Sequence, residues 1–175
     1  MSFGYFQALL ILSFSILGYV CTVYEFRLHT FKQLKADTET LVEFNLRLLG
    51  RQRALNGTIK CNADIGDEFV WKIRIEQHIN GDWKPIPIKM EATTCPFLEL
   101  FYGKYWDIPP SSTNLPMGKD GCPIRKGEYY LKNMSLHLDN WMQFGKEGLN
   151  RCKLTISKND IVHGGFIGVA VLTEI

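Results

Sequence analysis

Four histidines and five cysteines are the side chains of this sequence best suited to chemistry, and their spacing argues against an enzyme. The histidines form neither the paired motif of a zinc protease nor the surroundings of a serine nucleophile. They are His29, His78, His137 and His163. His137 and Asp139 would share one face of a strand, but no nucleophile accompanies them. We therefore predict a protein that is not an enzyme and uses no metal ion or cofactor.

Four of the cysteines follow the first 60 residues, at intervals of 34, 27 and 30 positions. They are Cys61, Cys95, Cys122 and Cys152. These intervals contain no C-x-x-C pair of the kind that binds zinc. An even number of cysteines in an extracellular domain instead predicts disulfides. Four cysteines allow three pairings, and their spacing alone does not choose among them.

The N-terminus predicts export from the cytosol. No charged residue precedes Glu25, and the run from Ala8 to Val20 is almost wholly apolar. Such a run is typical of a cleaved secretory signal, although about 20 apolar residues would also suffice for a membrane anchor. We predict a signal peptide over residues 1–22, one secreted extracellular domain over residues 23–175, and glycosylation of the sequons at Asn56 and Asn133.

Composition narrows the possible partners. The formal net charge is +2, from 20 basic and 18 acidic residues distributed along the chain. This balance gives no electrostatic case for nucleic acid or for a strongly anionic surface. About 150 residues remain after a signal peptide, enough for one domain with a sizeable core.

Period-two alternation of apolar and polar residues indicates strands throughout the chain. It is clearest over residues 69–76, after which Asn80-Gly81 predicts a hairpin turn. Pro85 and Pro87 cannot donate to a strand ladder, so the returning strand is predicted at a sheet edge. The last strand, 166–172, is apolar on both faces and is predicted to be central. Eight or nine short strands favour an all-β antiparallel sandwich.

The period changes to about four residues near 95–106, which predicts a short helical insertion rich in aromatic side chains. These aromatic residues either close one end of the core, cover an apolar pocket, or anchor a protein interface. A ligand pocket would be lined mostly by apolar side chains. The residues that we predict to contact a ligand are Phe69, Trp71, Ile73, Ile88, Met90, Phe97, Leu98, Phe101, Tyr105 and Trp106.

Several spaced motifs resemble those of a family of secreted insect proteins. They are Asn56-Gly57-Thr58, Cys95 with Phe97 and Leu98, and Cys122-Pro123-Ile124 followed by Gly127, Tyr129, Leu131 and Asn133. The pattern is similar to the chemosensory-B (CheB) proteins and their relatives in the lipid-recognition (ML) superfamily, which includes the ganglioside activator protein. The resemblance covers roughly residue 23 to the C-terminus.

This resemblance implies an immunoglobulin-like β-sandwich that carries or presents a lipid or a lipid-like pheromone, without catalysis, in contact chemosensation. Alongside it we favour the disulfides Cys95–Cys122 and Cys61–Cys152. The alternative function is an extracellular interaction module, with a membrane receptor or channel as its partner. We expect an apolar small molecule or lipid as the first partner and no nucleic acid.

Overall fold

The computed structural model describes residues 24–102, 109–116, 118–134 and 146–174. The predicted signal peptide therefore lies outside the described residues. The strands are β1 (Tyr24–Gln33), β2 (Val42–Leu49), β3 (Ala54–Cys61), β4 (Val70–Ile79), β5 (Asp82–Thr93), β6 (Gly127–Met134), β7 (Gly148–Lys158) and β8 (Ile161–Glu174). No helix in this part of the chain is long and apolar enough to cross a membrane.

The eight strands form two packed layers. The larger sheet has the order β5-β4-β7-β8-β1, and the smaller sheet has the order β2-β3-β6. A single parallel pair, Val42 with Gly164, connects β2 to β8. Across the layers, the ring of Phe44 on β2 meets the ring of Phe166 on β8 with centroids 5.2 Å apart. The predicted all-β sandwich is confirmed.

Alternation explains which side chains enter the core. On the chain leading into and along β4, Phe69, Trp71, Ile73 and Ile75 are buried, while Arg74 between them is exposed. The same alternation buries Val42 and Phe44 on β2 and Leu154 and Ile156 on β7. Successive strand residues point to opposite faces, so one apolar face per strand is enough to fill the space between the sheets.

The predicted hairpin turn, the predicted edge strand and the predicted central strand are also confirmed. Asn80 and Gly81 join β4 to β5 with φ angles of 53° and 90°. Such angles suit a tight hairpin because Asn and Gly tolerate positive φ. Strand β5, which contains Pro85 and Pro87, pairs only with β4 among the described strands and is an edge. Strand β8 is central because it pairs with β7, β1 and β2.

The helical insertion starts one residue earlier than predicted. One α-helical turn, α1, spans Thr94–Phe97 and continues into a π-helical turn, Leu98–Tyr102. Residues 103–106 of the predicted insertion lie outside the described residues. Two short 3-10 turns, Pro110–Ser112 and Lys119–Gly121, lie in the long connection before β6. Residues 148–150 form the start of β7.

One predicted disulfide is present and the other is not. Cys95 is bonded to Cys122, whereas Cys61 and Cys152 are both free thiols.

The register explains why Cys61 and Cys152 do not pair. Cys61 lies opposite Val42, which pairs with Gly164 on β8. Cys152 lies opposite Gly168, which is about 13 Å farther along β8 at about 3.3 Å per residue. A disulfide needs Cα atoms within about 7 Å. The prediction of a Cys61–Cys152 bond was therefore wrong, because alternation indicates the inward face of a strand but not the level along it.

Candidate functional site

An apolar cavity lies between the two sheets, beneath α1. Its volume is about 60 Å³, and no polar surface lines it. The lining residues are Val42, Phe44, Ile59, Cys61, Trp71, Phe97, Leu98, Leu115, Ile124, Leu154 and Phe166. Both sheets, the helical insertion and the connection before β6 thus contribute to one apolar surface. Such a lining can hold an apolar group and offers no acid, base or nucleophile that is ionised at neutral pH.

A buried hydroxyl attaches the helical insertion to the larger sheet. Thr94 has no solvent exposure, and its Oγ1 accepts a hydrogen bond of 3.0 Å from the indole N–H of Trp71. The same hydroxyl donates to the carbonyl of Gly66 at 2.6 Å. The ring of Phe97 stacks on that of Trp71 with centroids 4.6 Å apart. These contacts place Phe97 and Leu98 over the end of the core.

The disulfide holds the other side of the insertion. Cys95 in α1 is bonded to Cys122, and the backbone N–H of Cys95 donates to the Asp67 carboxylate at 2.8 Å. Asp67, Cys95 and Cys122 are also the one group of potential metal ligands among the described residues. The two sulfur atoms are bonded to each other, so the group offers no thiolate to a metal ion.

A second set of contacts positions Ile124 in the cavity wall. Ile65 and Ile124 exchange two backbone hydrogen bonds, of 2.8 and 3.0 Å. The Asp64 carboxylate accepts bonds from the backbone N–H of Lys126 at 2.7 Å and from Arg125 at 2.8 Å. The Lys126 N–H, and then Arg125, hold the pKa of Asp64 below its usual value. The contacts of Asp64 with Arg125 and Lys126 connect the segment before β4 to the segment before β6.

The cavity contains one thiol, that of Cys61. Burial raises the pKa of Cys61 to about 11, so the thiol is protonated at neutral pH. Burial likewise raises the pKa of Cys152 to about 12. A protonated, buried thiol behaves as a small apolar group and not as a nucleophile. Cys61 therefore acts as part of the apolar wall.

The cavity brings together three of the ten predicted ligand contacts, namely Trp71, Phe97 and Leu98. Phe69, Ile73 and Met90 are buried elsewhere in the core, and Ile88 is half-buried against it. Phe101 belongs to the π-helical turn. Tyr105 and Trp106 lie outside the described residues. Ligand contact by these residues remains a prediction.

Eight lining residues were not predicted as ligand contacts. Four of them lie on the inner faces of β2 and β3, namely Val42, Phe44, Ile59 and Cys61. Their inward direction follows from alternation, but their position at the cavity depends on strand register. Leu154 and Phe166 belong to the larger sheet. There too, alternation gives the inward direction, but strand register decides which residues lie at the cavity. Leu115 and Ile124 lie in irregular chain, where no periodic signal exists.

The two sequon asparagines are neighbours on β3 and β6. The backbone N–H of Asn133 donates to Oδ1 of Asn56 at 3.0 Å. Asn133 has a φ of 50° in a register break between β3 and β6, as in a β-bulge. Asn133 is exposed and Asn56 is half-buried. Glycosylation of either asparagine remains a prediction.

These features define a class of protein, an antiparallel β-sandwich with a small apolar cavity under a disulfide-linked helical turn. Over residues 69–151 the chain is similar to a family whose model is described as "Protein of unknown function (DUF1091)". The matched residues include Trp71, Phe97 and Leu98 of the cavity and both disulfide cysteines. No curated protein matches the chain.

Proposed function

We propose that this protein binds an apolar small molecule or a lipid-like ligand between its two sheets, at the end covered by α1. The observation that carries this proposal is the cavity itself, whose lining comes from four parts of the fold and is wholly apolar. Binding sites for small molecules are concave and mostly apolar. The lining offers no group for acid, base or nucleophilic catalysis, which favours a binder over an enzyme.

The size of the cavity limits how a ligand enters. A volume of about 60 Å³ is well below the roughly 300 Å³ of a site for a drug-sized ligand. A longer chain therefore needs the cavity to widen. The insertion belongs to neither sheet, so Phe97 and Leu98 can move without breaking strand hydrogen bonds. The Cys95–Cys122 bond would keep the insertion attached while it moves.

The resemblance to chemosensory-B proteins supports a lipid or a lipid-like pheromone as the ligand class. It also supports a role in contact chemosensation. The Cys95–Cys122 disulfide supports an oxidising compartment, as expected of a secreted protein. We include secretion and this sensory role in the proposal.

Position 61 allows the proposal to be tested with matched variants. Cys61→Leu extends a larger side chain into the cavity, whereas Cys61→Ala leaves the space open. We expect delipidated wild type and Cys61→Ala to take up a fluorescent fatty-acid probe. Cys61→Leu should bind it at least about tenfold more weakly, a change of about 1.4 kcal/mol. Cys61→Met is a second filling variant, because Met adapts to irregular space.

Thermal unfolding of each variant separates loss of the site from loss of the fold. Equal probe binding by Cys61→Ala, Cys61→Leu and Cys61→Met would place the ligand elsewhere. Absence of binding in the wild type, with no lipid in native mass spectra of the purified protein, would favour the interaction module. Leu100, which is 60% exposed next to the cavity residues on the insertion, would then be the candidate interface anchor.

A further inference from the structure

Four basic residues form a single row across the larger sheet. Lys32 on β1 pairs with Ile167 on β8, and Ile167 pairs with Lys153 on β7. Lys153 pairs with Arg74 on β4, and Arg74 pairs with Lys89 on β5. We call these four cations the basic row. With strands about 4.8 Å apart, the row spans about 19 Å.

The basic row lies on the outer face of the sandwich. The neighbouring register row contains Phe166, Leu154, Ile73 and Met90, all of which are buried in the core. Because successive residues of a strand point to opposite faces, the basic row must point outward. Lys32, Arg74 and Lys89 are exposed and Lys153 is half-exposed.

The register rows on either side of the basic row each contain an ion pair, in which one acidic and one basic side chain neutralise each other. On one side Lys72 pairs with Glu91 at 3.1 Å. On the other side Arg151 pairs with Glu76 at 2.5 Å and lies over the Trp83 ring. No member of the basic row forms an ion pair with another described residue. Neither neighbouring row therefore adds an unpaired cation to the stripe.

Like charges directly opposite each other destabilise a sheet, so Arg74 repels both Lys153 and Lys89. Lys32, separated from Lys153 by Ile167, extends the same positive stripe. An anionic partner that lies along the row would relieve this repulsion. The overall charge of +2 conceals the row, because its members are far apart in the sequence and meet only through strand pairing.

We infer that the basic row binds a linear polyanion, specifically a sulfated polysaccharide. A stripe suits a linear partner, whereas a flat anionic membrane would also meet the flanking Glu76 and Glu91. Proteins that bind single-stranded nucleic acid usually add aromatic side chains for base stacking. On this face the Trp83 ring already packs against Arg151 and against the ring of His78. The centroids of the Trp83 and His78 rings are 5.1 Å apart. The disulfide is typical of extracellular compartments, where sulfated polysaccharides occur.

Heparin chromatography of the full-length secreted protein tests this inference. The row variant carries Lys32→Gln, Arg74→Gln, Lys89→Gln and Lys153→Gln. The control variant carries Lys35→Gln, Arg47→Gln, Arg51→Gln and Lys126→Gln, which remove four exposed cations elsewhere. We expect wild type and control to remain bound above about 0.15 M salt, and the row variant to elute below it. The salt dependence of binding should weaken by about one unit of slope per row charge removed.

Equal loss of retention in both variants would show a response to net charge alone and would overturn the inference. So would elution of the wild type below about 0.15 M salt, or a row variant that stays bound. If the row variant fails to fold, Arg74→Gln with Lys153→Gln should elute between wild type and the flow-through. Stronger binding to a single-stranded oligonucleotide or to phosphatidylserine vesicles than to heparin would overturn the choice of polysaccharide.

Discussion

The hydroxyl of Thr94 satisfies two polar groups inside the fold. It accepts from the Trp71 indole N–H and donates to the Gly66 carbonyl, and Thr94 has no solvent exposure. Thr94→Val keeps the shape of the side chain but leaves the Trp71 indole N–H unpaired, while the Gly66 carbonyl still accepts from the Phe69 N–H at 3.1 Å. A buried unpaired group costs about 1–3 kcal/mol, so we expect the free energy of unfolding to fall by about that amount.

Thr94→Ser is the matched control for that change, since it keeps the hydroxyl and removes one methyl group, at a cost of about 1 kcal/mol. Urea unfolding of both variants measures the difference. Equal destabilisation would mean that the methyl contact matters more than the hydrogen bonds. No periodic pattern in the sequence marks Thr94, because its role depends on Trp71 being 23 residues away in the chain and adjacent in space.

Strand β8 contains glycines with different structural roles. A Cβ at Gly165 would lie 2.2 Å from the Leu154 carbonyl oxygen on β7, and Gly165 has a φ of 151°. At Gly168 the nearest atom to such a Cβ is a methyl carbon of Leu28 at 3.6 Å, an ordinary contact. We expect Gly165→Ala to destabilise the protein by about 2 kcal/mol or more, because backbone must shift. Gly168→Ala should change stability by no more than about 0.5 kcal/mol.

Thermal and urea unfolding of the two glycine variants provide the comparison. A Gly168→Ala variant as unstable as Gly165→Ala would contradict the structural distinction. Gly in a strand often marks a close approach of another backbone, and β8 contains Gly164, Gly165 and Gly168. Only the pairing of β8 with β7 and β2 shows that Gly164 and Gly165 meet backbone, whereas Gly168 has room.

Elements were easier to predict from sequence than the site that they build. Alternation predicted the inward face of β4, and turn chemistry predicted the positive φ angles at Asn80 and Gly81. Neither signal contains the register between strands. Alternation along β3 therefore indicates the inward face for Cys61, where the structure has it, but the predicted bond with Cys152 is wrong. The basic row and most of the cavity lining also depend on strand register, which these sequence signals do not contain.

At the scale of the whole molecule, the disulfide joins chain next to β5 to chain next to β6. These two strands lie at opposite ends of the pairing order β5-β4-β7-β8-β2-β3-β6. Cys95 lies in α1, which directly follows β5, an edge strand of the larger sheet, and Cys122 precedes β6, an edge strand of the smaller sheet. The bond closes the sandwich where no strand pairing joins the layers. Its 27-residue separation predicts a contribution of about 3–4 kcal/mol, chiefly by restricting the unfolded chain.

The cysteine variants test this closure. We expect Cys95→Ala/Cys122→Ala to lose about 3–4 kcal/mol of unfolding free energy and to become insensitive to dithiothreitol. The matched Cys61→Ala/Cys152→Ala variant should respond to dithiothreitol as strongly as the wild type, because the thiols at 61 and 152 are free. A weaker response in that variant would mean that Cys61 or Cys152 takes part in a disulfide. In that case the strands would need a register different from the one that places these cysteines about 13 Å apart along β8.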